Sequence, residues 1–437
     1  MSGPWLGAVA DDITGACDLA DAMCEQGQSA VVRFGPGDGV DRGDPMPPCE
    51  CAVVAVQSRT APILEAVAQS VDAARALLAA GCTTIYQKYC STFDSTDRGN
   101  IGPVADALRR VVPGSAPALA VGTPATPRSQ RTVYQGHLFV GQRLLSESSL
   151  RDHPLTPMRD SDLVAVLSRQ TPDPVGLVPY RTGAGGGVDA IIEEIDAARA
   201  AGVGHLLLDA LDDGDLDVAA IALHRLQAGG QSILVGGAAG LAAALARTRV
   251  ADPSARRAPA RAVTGVTSGR RLIVSGSCSV RTREQVAAFD GPRIELSALE
   301  LDDDPTRTVA AVLAAAAEAF DRSSSPVLVS SSADPDTVRE SEDQLGAGRP
   351  AALLESAAGA IAARAVETLG VRRLLVAGGE TSGAVVQALG ISTLRVGPAV
   401  EPGLCWMVPM AGPLALLLKS GNFGTPELFN TAWRVCS

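Results

Sequence analysis

The chain is most constrained by an alternation. Short apolar runs of strand length are separated by alanine-rich stretches, and several runs stop at aspartate, serine or glycine. Residues 6–10 form the first run and end in Asp11-Asp12, after which Thr14-Gly15 opens a helical pattern through Leu19 and Met23. Further runs occupy residues 52–56, 83–86, 118–121, 205–208 and 232–235, with helical stretches at 66–80 and 188–201. Successive parallel strands need a long crossover, which a helix supplies. The expected fold is therefore α/β: two three-layer α/β/α domains with mostly parallel sheets and an active-site cleft between them.

Two domains follow from the length, 437 residues, and from a change of character near residue 250. Residues 251–270 are polar and rich in Arg, Ser, Pro and Gly, as an interdomain linker is. A second α/β series then begins, with strands expected at 272–274, 326–330 and 373–376 and helices at 308–320 and 357–369. The domain boundaries are read as 1–250 and 271–437.

Composition narrows the function. The formal net charge of −11 argues against nucleic-acid and anionic-membrane surfaces, so an anionic substrate needs a local basic pocket. No apolar run reaches membrane-spanning length, and residues 1–10 lack signal-peptide character, so a cytoplasmic protein is expected. Nine scattered cysteines suit free thiols there. Four histidines without a His-x-x-x-His pair make a histidine-rich metal centre an unlikely design. Aromatic residues are only 3%, so Ala, Val and Leu must do the packing.

In open parallel sheets ligands bind at the carboxyl ends of strands. In the first half these positions carry Asp11 and Asp12, able to accept a hydroxyl proton or to cap the next helix. They also carry the polar stretch 88–100, where Ser91, Asp94, Ser95 and Asn100 suit sugar hydroxyls and Lys88 and Arg98 suit a carboxylate. Arg59 is a further anion contact. Gly122 to Pro127, Arg131-Thr132 and Gly136-His137 lie near enough in sequence to join the pocket, with His137 read as structural. In the second half, Ser275-Gly276-Ser277-Cys278-Ser279 with Thr282 and Gln285, Gly378-Gly379-Glu380-Thr381-Ser382-Gly383, and Lys419-Ser420-Gly421-Asn422-Phe423-Gly424 are three small-residue loops suited to phosphate. None has Walker A spacing, and no dinucleotide fingerprint is present.

Ala10-Asp11-Asp12-Ile13-Thr14-Gly15-Ala16 resembles the opening motif of the four-carbon acid sugar kinase family. Residues 90–100, 378–383 and 419–424 are similar to three further motifs of that family, in the same order. The resemblance is closest to its 3-oxo-tetronate kinase branch, through Cys90 to Thr96, Gly99 to Val104, Tyr134 to Gly141 and His153 to Met158; Asp97 departs from the proline or leucine usual there. It implies a sugar-acid-binding N-terminal domain, a nucleotide-binding C-terminal domain, and ATP with Mg2+. The expected reaction is phosphorylation of the terminal C4 hydroxyl of a four-carbon keto sugar acid in sugar-acid catabolism, with threonate or erythronate kinase as the runner-up and a non-catalytic sugar-phosphate-binding protein further behind. The implied roles place Asp12 or Asp11 as base. Arg59, Lys88, Ser91, Asp94, Ser95, Arg98 and Asn100 fall on the sugar acid. Ser275, Ser277, Gly378, Gly379, Glu380, Thr381, Lys419, Gly421 and Asn422 fall on ATP. Metal ligands are unassigned, with Glu380 or an aspartate acting through water as one option, and a homodimer is left open.

Overall fold

The computed structural model describes residues 3–35, 46–152, 156–183, 185–249, 261–262 and 268–436. They fall into two units, Met1–Ala260 and Arg261–Ser437. Most of the 251–270 stretch, and His153, Pro154 and Leu155, lie outside the described residues.

The first unit strings its parallel strands in chain order as β1 (Leu6–Ala10), β2 (Ala30–Phe34), β3 (Cys51–Ala55), β4 (Thr84–Lys88) and β5 (Leu119–Thr123). A small antiparallel sheet follows, β6 (Arg131–Tyr134), β7 (His137–Val140) and β8 (Arg143–Leu144), and then β9 (Val175–Val178), β10 (His205–Leu208) and β11 (Ile233–Gly237). In space the parallel strands run β2-β3-β1-β4-β11-β5-β10-β9. β1 is central and wholly buried, which is why it reads as an unbroken apolar run. The helices are α1 (Ile13–Glu25), α2 (Ile63–Ala79), α3 (Ile101–Arg109), α4 (Leu163–Ser168), α5 (Gly187–Ala200), α6 (Asp213–Ala228) and α7 (Ala239–Arg249). Alanine lets α1 and α7 approach closely, through Ala22, Ala239 and Ala243.

The second unit contains β12 (Arg270–Ser275), β13 (Arg293–Glu295), β14 (Val327–Ser330), β15 (Val371–Ala377), β16 (Thr393–Glu401), β17 (Leu404–Pro409) and β18 (Ala415–Lys419). Their order is β13-β14-β12-β15-β18-β17-β16, parallel from β13 to β18 and antiparallel for the last two pairings. Its helices are α8 (Val280–Ala288), α9 (Ala298–Asp303), α10 (Pro305–Arg322), α11 (Pro335–Leu345), α12 (Arg349–Thr368), α13 (Gly379–Ala388) and α14 (Leu428–Thr431). Four aromatics, Phe289, Trp406, Phe429 and Trp433, share one core cluster here.

The α/β class with mostly parallel sheets is as expected. Strand ends move by a residue or two, and one shift matters: β4 runs on to Lys88, so this lysine ends a strand, 2% exposed, and does not sit in the loop. Among the described residues no helix is long and apolar enough to cross a membrane.

Candidate functional site

Asp11 and Asp12 leave the carboxyl end of β1, between β3 and β4. Asp12 caps α1, its Oδ1 accepting from the Gly15 N–H at 2.8 Å and its Oδ2 from the Thr14 hydroxyl at 2.6 Å. Capping and charge therefore coexist on one residue. Arg59, from the loop after β3, forks onto Asp11 through Nε at 2.9 Å and a terminal nitrogen at 3.0 Å. The same guanidinium lies 3.0 Å from Asp12 and 3.7 Å from Asp94. Asp11, Arg59, Lys88, Asp94, Ser95 and Asn100 line one pocket. Three carboxylates therefore share Arg59, which serves as their counter-charge.

Electrostatics separate the two aspartates. Burial dominates at Asp11 and holds its carboxyl above the ordinary range, against the pull of Arg59. At Asp12 burial pushes the same way, but Arg59, the Thr14 hydroxyl, Lys88 and the Gly15 N–H together carry it below that range. The Lys88 ammonium donates to the Tyr89 carbonyl at 3.0 Å. Burial pushes the neighbouring Cys90 thiol up to about 12, so it is no nucleophile.

The loop after β4 is braced from several sides. Phe93 takes a φ of 51°, which costs a non-glycine residue about 1–2 kcal/mol, and its buried ring is held edge-on by Tyr89 at 5.4 Å. This turn presents Thr92, whose hydroxyl donates to Asp94 at 2.5 Å. Asn100 donates to the carbonyls of Ser58 at 2.6 Å and Ala61 at 2.9 Å, tying this loop to the one that carries Arg59. Asn100 is thus a brace, and Asn100→Leu is expected to cost about 1–3 kcal/mol by stranding buried carbonyls. Denaturant midpoints measure this directly, and a variant as stable as the wild type overturns it.

Ser91 and Ser95 are buried in the same segment, Ser95 accepting from Gln170 at 2.7 Å. Arg98 is exposed and outside the pocket lining, so the structure does not bring it to the site. Asp97 is exposed too, pairing with Arg169 at 2.6 Å, which also bonds Asp160 at 2.7 Å. Arg131, at the start of β6, was only a neighbour in the sequence. Its Nε is buried with no partner among the described residues. Burial lowers its proton affinity, while Cys90, Asp94 and Asp18 lie near enough to oppose that. Sequence reasoning missed Gln170, whose side chain accepts from Gly102 N–H and donates to Ser95 and Thr96. It also missed Asp18 on α1, raised by burial to about 6. An aspartate set among the apolar positions of α1, as Asp21 also is, was the available signal; Gln170 left none.

In the second unit the three small-residue loops meet at the carboxyl ends of β12, β15 and β18. The N–H groups of Gly276 and Ser277 donate to the Ala377 carbonyl at 3.0 and 3.1 Å, and the Gly378 N–H donates to the Lys419 carbonyl at 2.9 Å. Gly378 has a φ of +129°, and a Cβ there would lie 2.8 Å from the Thr381 hydroxyl, so only glycine serves. It opens α13 without a side-chain cap, so the first-turn N–H groups of Gly379 and Thr381 are placed for an anion. Ser277 lies beside Gly421, and Asn422 and Glu380 are exposed. Ser275 faces a partner the sequence reading overlooked, the Ser332 hydroxyl at 2.8 Å in the loop after β14. Lys419 is 0% exposed, and its ammonium donates to the Thr282 hydroxyl at 2.9 Å and the Gly421 carbonyl at 3.1 Å, so it faces the protein.

A family model described as a sugar-binding N-terminal domain matches residues 6–245, and one described as a nucleotide-binding C-terminal domain matches residues 272–429. The chain belongs to the four-carbon acid sugar kinase family. This kinase is 42% identical to a 3-oxo-tetronate kinase of Burkholderia multivorans, over 99% of this chain and 97% of that one. It is 41% identical to a 3-oxo-tetronate kinase of Cupriavidus necator, over the same shares. A solved structure from Salmonella typhimurium LT2 superposes with a TM-score of 0.81 at 35% identity, covering 98% of both chains. One from Haemophilus influenzae gives a TM-score of 0.74 at 33% identity, covering 99% of this chain and 100% of that one.

Proposed function

We propose that this kinase transfers the γ-phosphoryl group of ATP to the C4 hydroxyl of a 3-oxo-tetronate, giving 3-oxo-tetronate 4-phosphate. The observation that carries the reading is the pairing of chemistries. One unit has a carboxylate locus neutralised by Arg59, and the other has three small-residue loops at strand ends, one of which opens α13 at Gly378 without a side-chain cap. Relatives at about 40% identity over nearly the whole chain, named 3-oxo-tetronate kinase, support the choice of substrate.

Phosphoryl transfer asks for alignment and charge neutralisation more than for covalent chemistry. In the first unit, Arg131 and Lys88 hold the substrate carboxylate, because Arg59 is spent on Asp11, Asp12 and Asp94. Ser91 and Ser95 face the sugar hydroxyls. Asp11 accepts the C4 proton: it lines the pocket and carries the higher proton affinity of the pair, while Asp12 is held by Gly15 and Thr14. In the second unit, Gly379 and Thr381 offer N–H groups to the phosphates, with Ser275 and Ser277 beside them. Glu380 and Glu355 fit magnesium as oxygen donors; they are close enough that Glu380 adds to the effect of burial in raising Glu355. When bound, that ion neutralises phosphate charge.

ADP release in the presence of a panel of four-carbon acids tests the reading. Turnover with the 3-oxo acid and little with D-threonate or D-erythronate is expected. Preference for either plain acid selects the threonate or erythronate kinase instead, and no ADP with any acid overturns the proposal.

A further inference from the structure

We propose that Lys419, Thr282 and Ser279 form a positioning device for the nucleotide: they lock the Gly421 carbonyl so that the Asn422 N–H is presented to the phosphates. This rests on the ATP reading above. Three donors converge on that single carbonyl: the Ser279 hydroxyl at 2.7 Å, the Thr282 hydroxyl at 2.9 Å and the Lys419 ammonium at 3.1 Å. The Lys419 ammonium also donates to Thr282, at 2.9 Å, so the three groups form one network. Gln285, one turn along α8, donates to the carbonyls of Phe423 and Thr425 at 3.0 and 2.9 Å, which fastens the rest of the loop to the same helix.

A trans peptide is planar and holds its N–H opposite to its C=O. Locking the Gly421 oxygen onto α8 therefore turns the Asn422 N–H away from α8, where it meets no protein acceptor among the described residues. Gly421 itself lies against Ser277, since a Cβ there would come 2.5 Å from the Ser277 hydroxyl. The presented N–H thus belongs to the same cradle as the Ser277 and Gly378 loops. Burying an ammonium is costly, and an apolar side chain of similar length would fill the space without that cost. What the lysine adds is a hold on one peptide that becomes charge-assisted once the amine is protonated.

The charge leaves a signature. Burial pushes the Lys419 ammonium down to about 7, Arg281 on α8 adds to this, and Glu401 on β16 opposes it. Phosphate arriving beside the loop favours the protonated form, so ATP binding at pH 8 takes up a proton.

The test uses the full chain, with calorimetric ATP titration at pH 8 in two buffers of different ionisation heat, and steady-state kinetics. Wild type is expected to bind ATP with proton uptake. Thr282→Val is expected to raise the KM for ATP about tenfold, the order of one lost hydrogen bond to a charged group, with the KM for the sugar acid within about twofold. Thr282→Ser keeps the hydroxyl and restores ATP binding. Lys419→Met abolishes the proton uptake, and if that variant does not fold, the Thr282 pair decides. A folded Thr282→Val with wild-type KM for ATP, or wild-type binding without proton uptake, overturns the device while leaving the kinase reading intact. No ATP binding by the wild type overturns both.

Discussion

Asp11→Asn is expected to lower kcat by about 10²–10⁴, the usual contribution of a general base, with ATP affinity unchanged within about twofold. The substitution keeps the shape and removes the proton acceptor that lines the pocket. Asp12→Asn is the necessary companion. Asparagine caps a helix about as well as aspartate, so the bond from the Gly15 N–H survives, and turnover should fall by no more than about tenfold. The pH profile separates the two further. Burial holds Asp11 above the ordinary carboxylate range, so kcat should rise with pH along an acidic limb that lies above that range. Asp11→Asn loses that limb. A large loss in Asp12→Asn with near-normal Asp11→Asn would exchange the roles and restore the assignment that the sequence alone suggested first.

That exchange shows where sequence reading stops. The strand ends carrying Asp11-Asp12, Ser275 to Ser279 and Gly378-Gly379 were legible because a buried parallel strand must be apolar throughout and its ligand-side end must not be. The hydrogen bonds that decide roles were not legible, because they cross the chain. The sequence offers Arg59 only as an anion contact, whereas in the fold three carboxylates from two other loops lie against it. Lys419 looked like a phosphate ligand because it borders a glycine loop. Its partner Thr282 lies 137 positions away, and only the packing of α8 against β18 brings them together. Asn100 was read as a substrate residue, yet its amide spans two loops as a brace. Polar residues in a loop announce a site, but composition does not tell which of them face the ligand and which hold the loop.

Arg59→Leu should be the most damaging single change to stability in the first unit. It leaves Asp11, Asp12 and Asp94 clustered with no guanidinium between them, and breaking such a pair is expected to cost about 2–4 kcal/mol, discounted for the 14–20% exposure of these side chains. Lysine cannot restore the fork, so Arg59→Lys should recover only part of the loss. The pH dependence carries the sign. In the wild type the Asp12 carboxyl sits below its unfolded value, so it contributes stability above the ordinary carboxylate range and loses it only as pH falls through the depressed folded value. Without Arg59, burial and mutual repulsion are opposed only by Lys88 and, at Asp12, by the Thr14 hydroxyl and the Gly15 N–H, so Asp11 rises further and Asp12 rises from its depressed value. The folded variant then binds more protons than the unfolded chain, so its stability deficit is greatest at neutral pH and shrinks as pH falls toward the ordinary carboxylate range. Denaturant midpoints of the two proteins at pH 7.5 and pH 5 measure this, and a deficit that grows on acidification would show that Arg59 is not the counter-charge of the cluster.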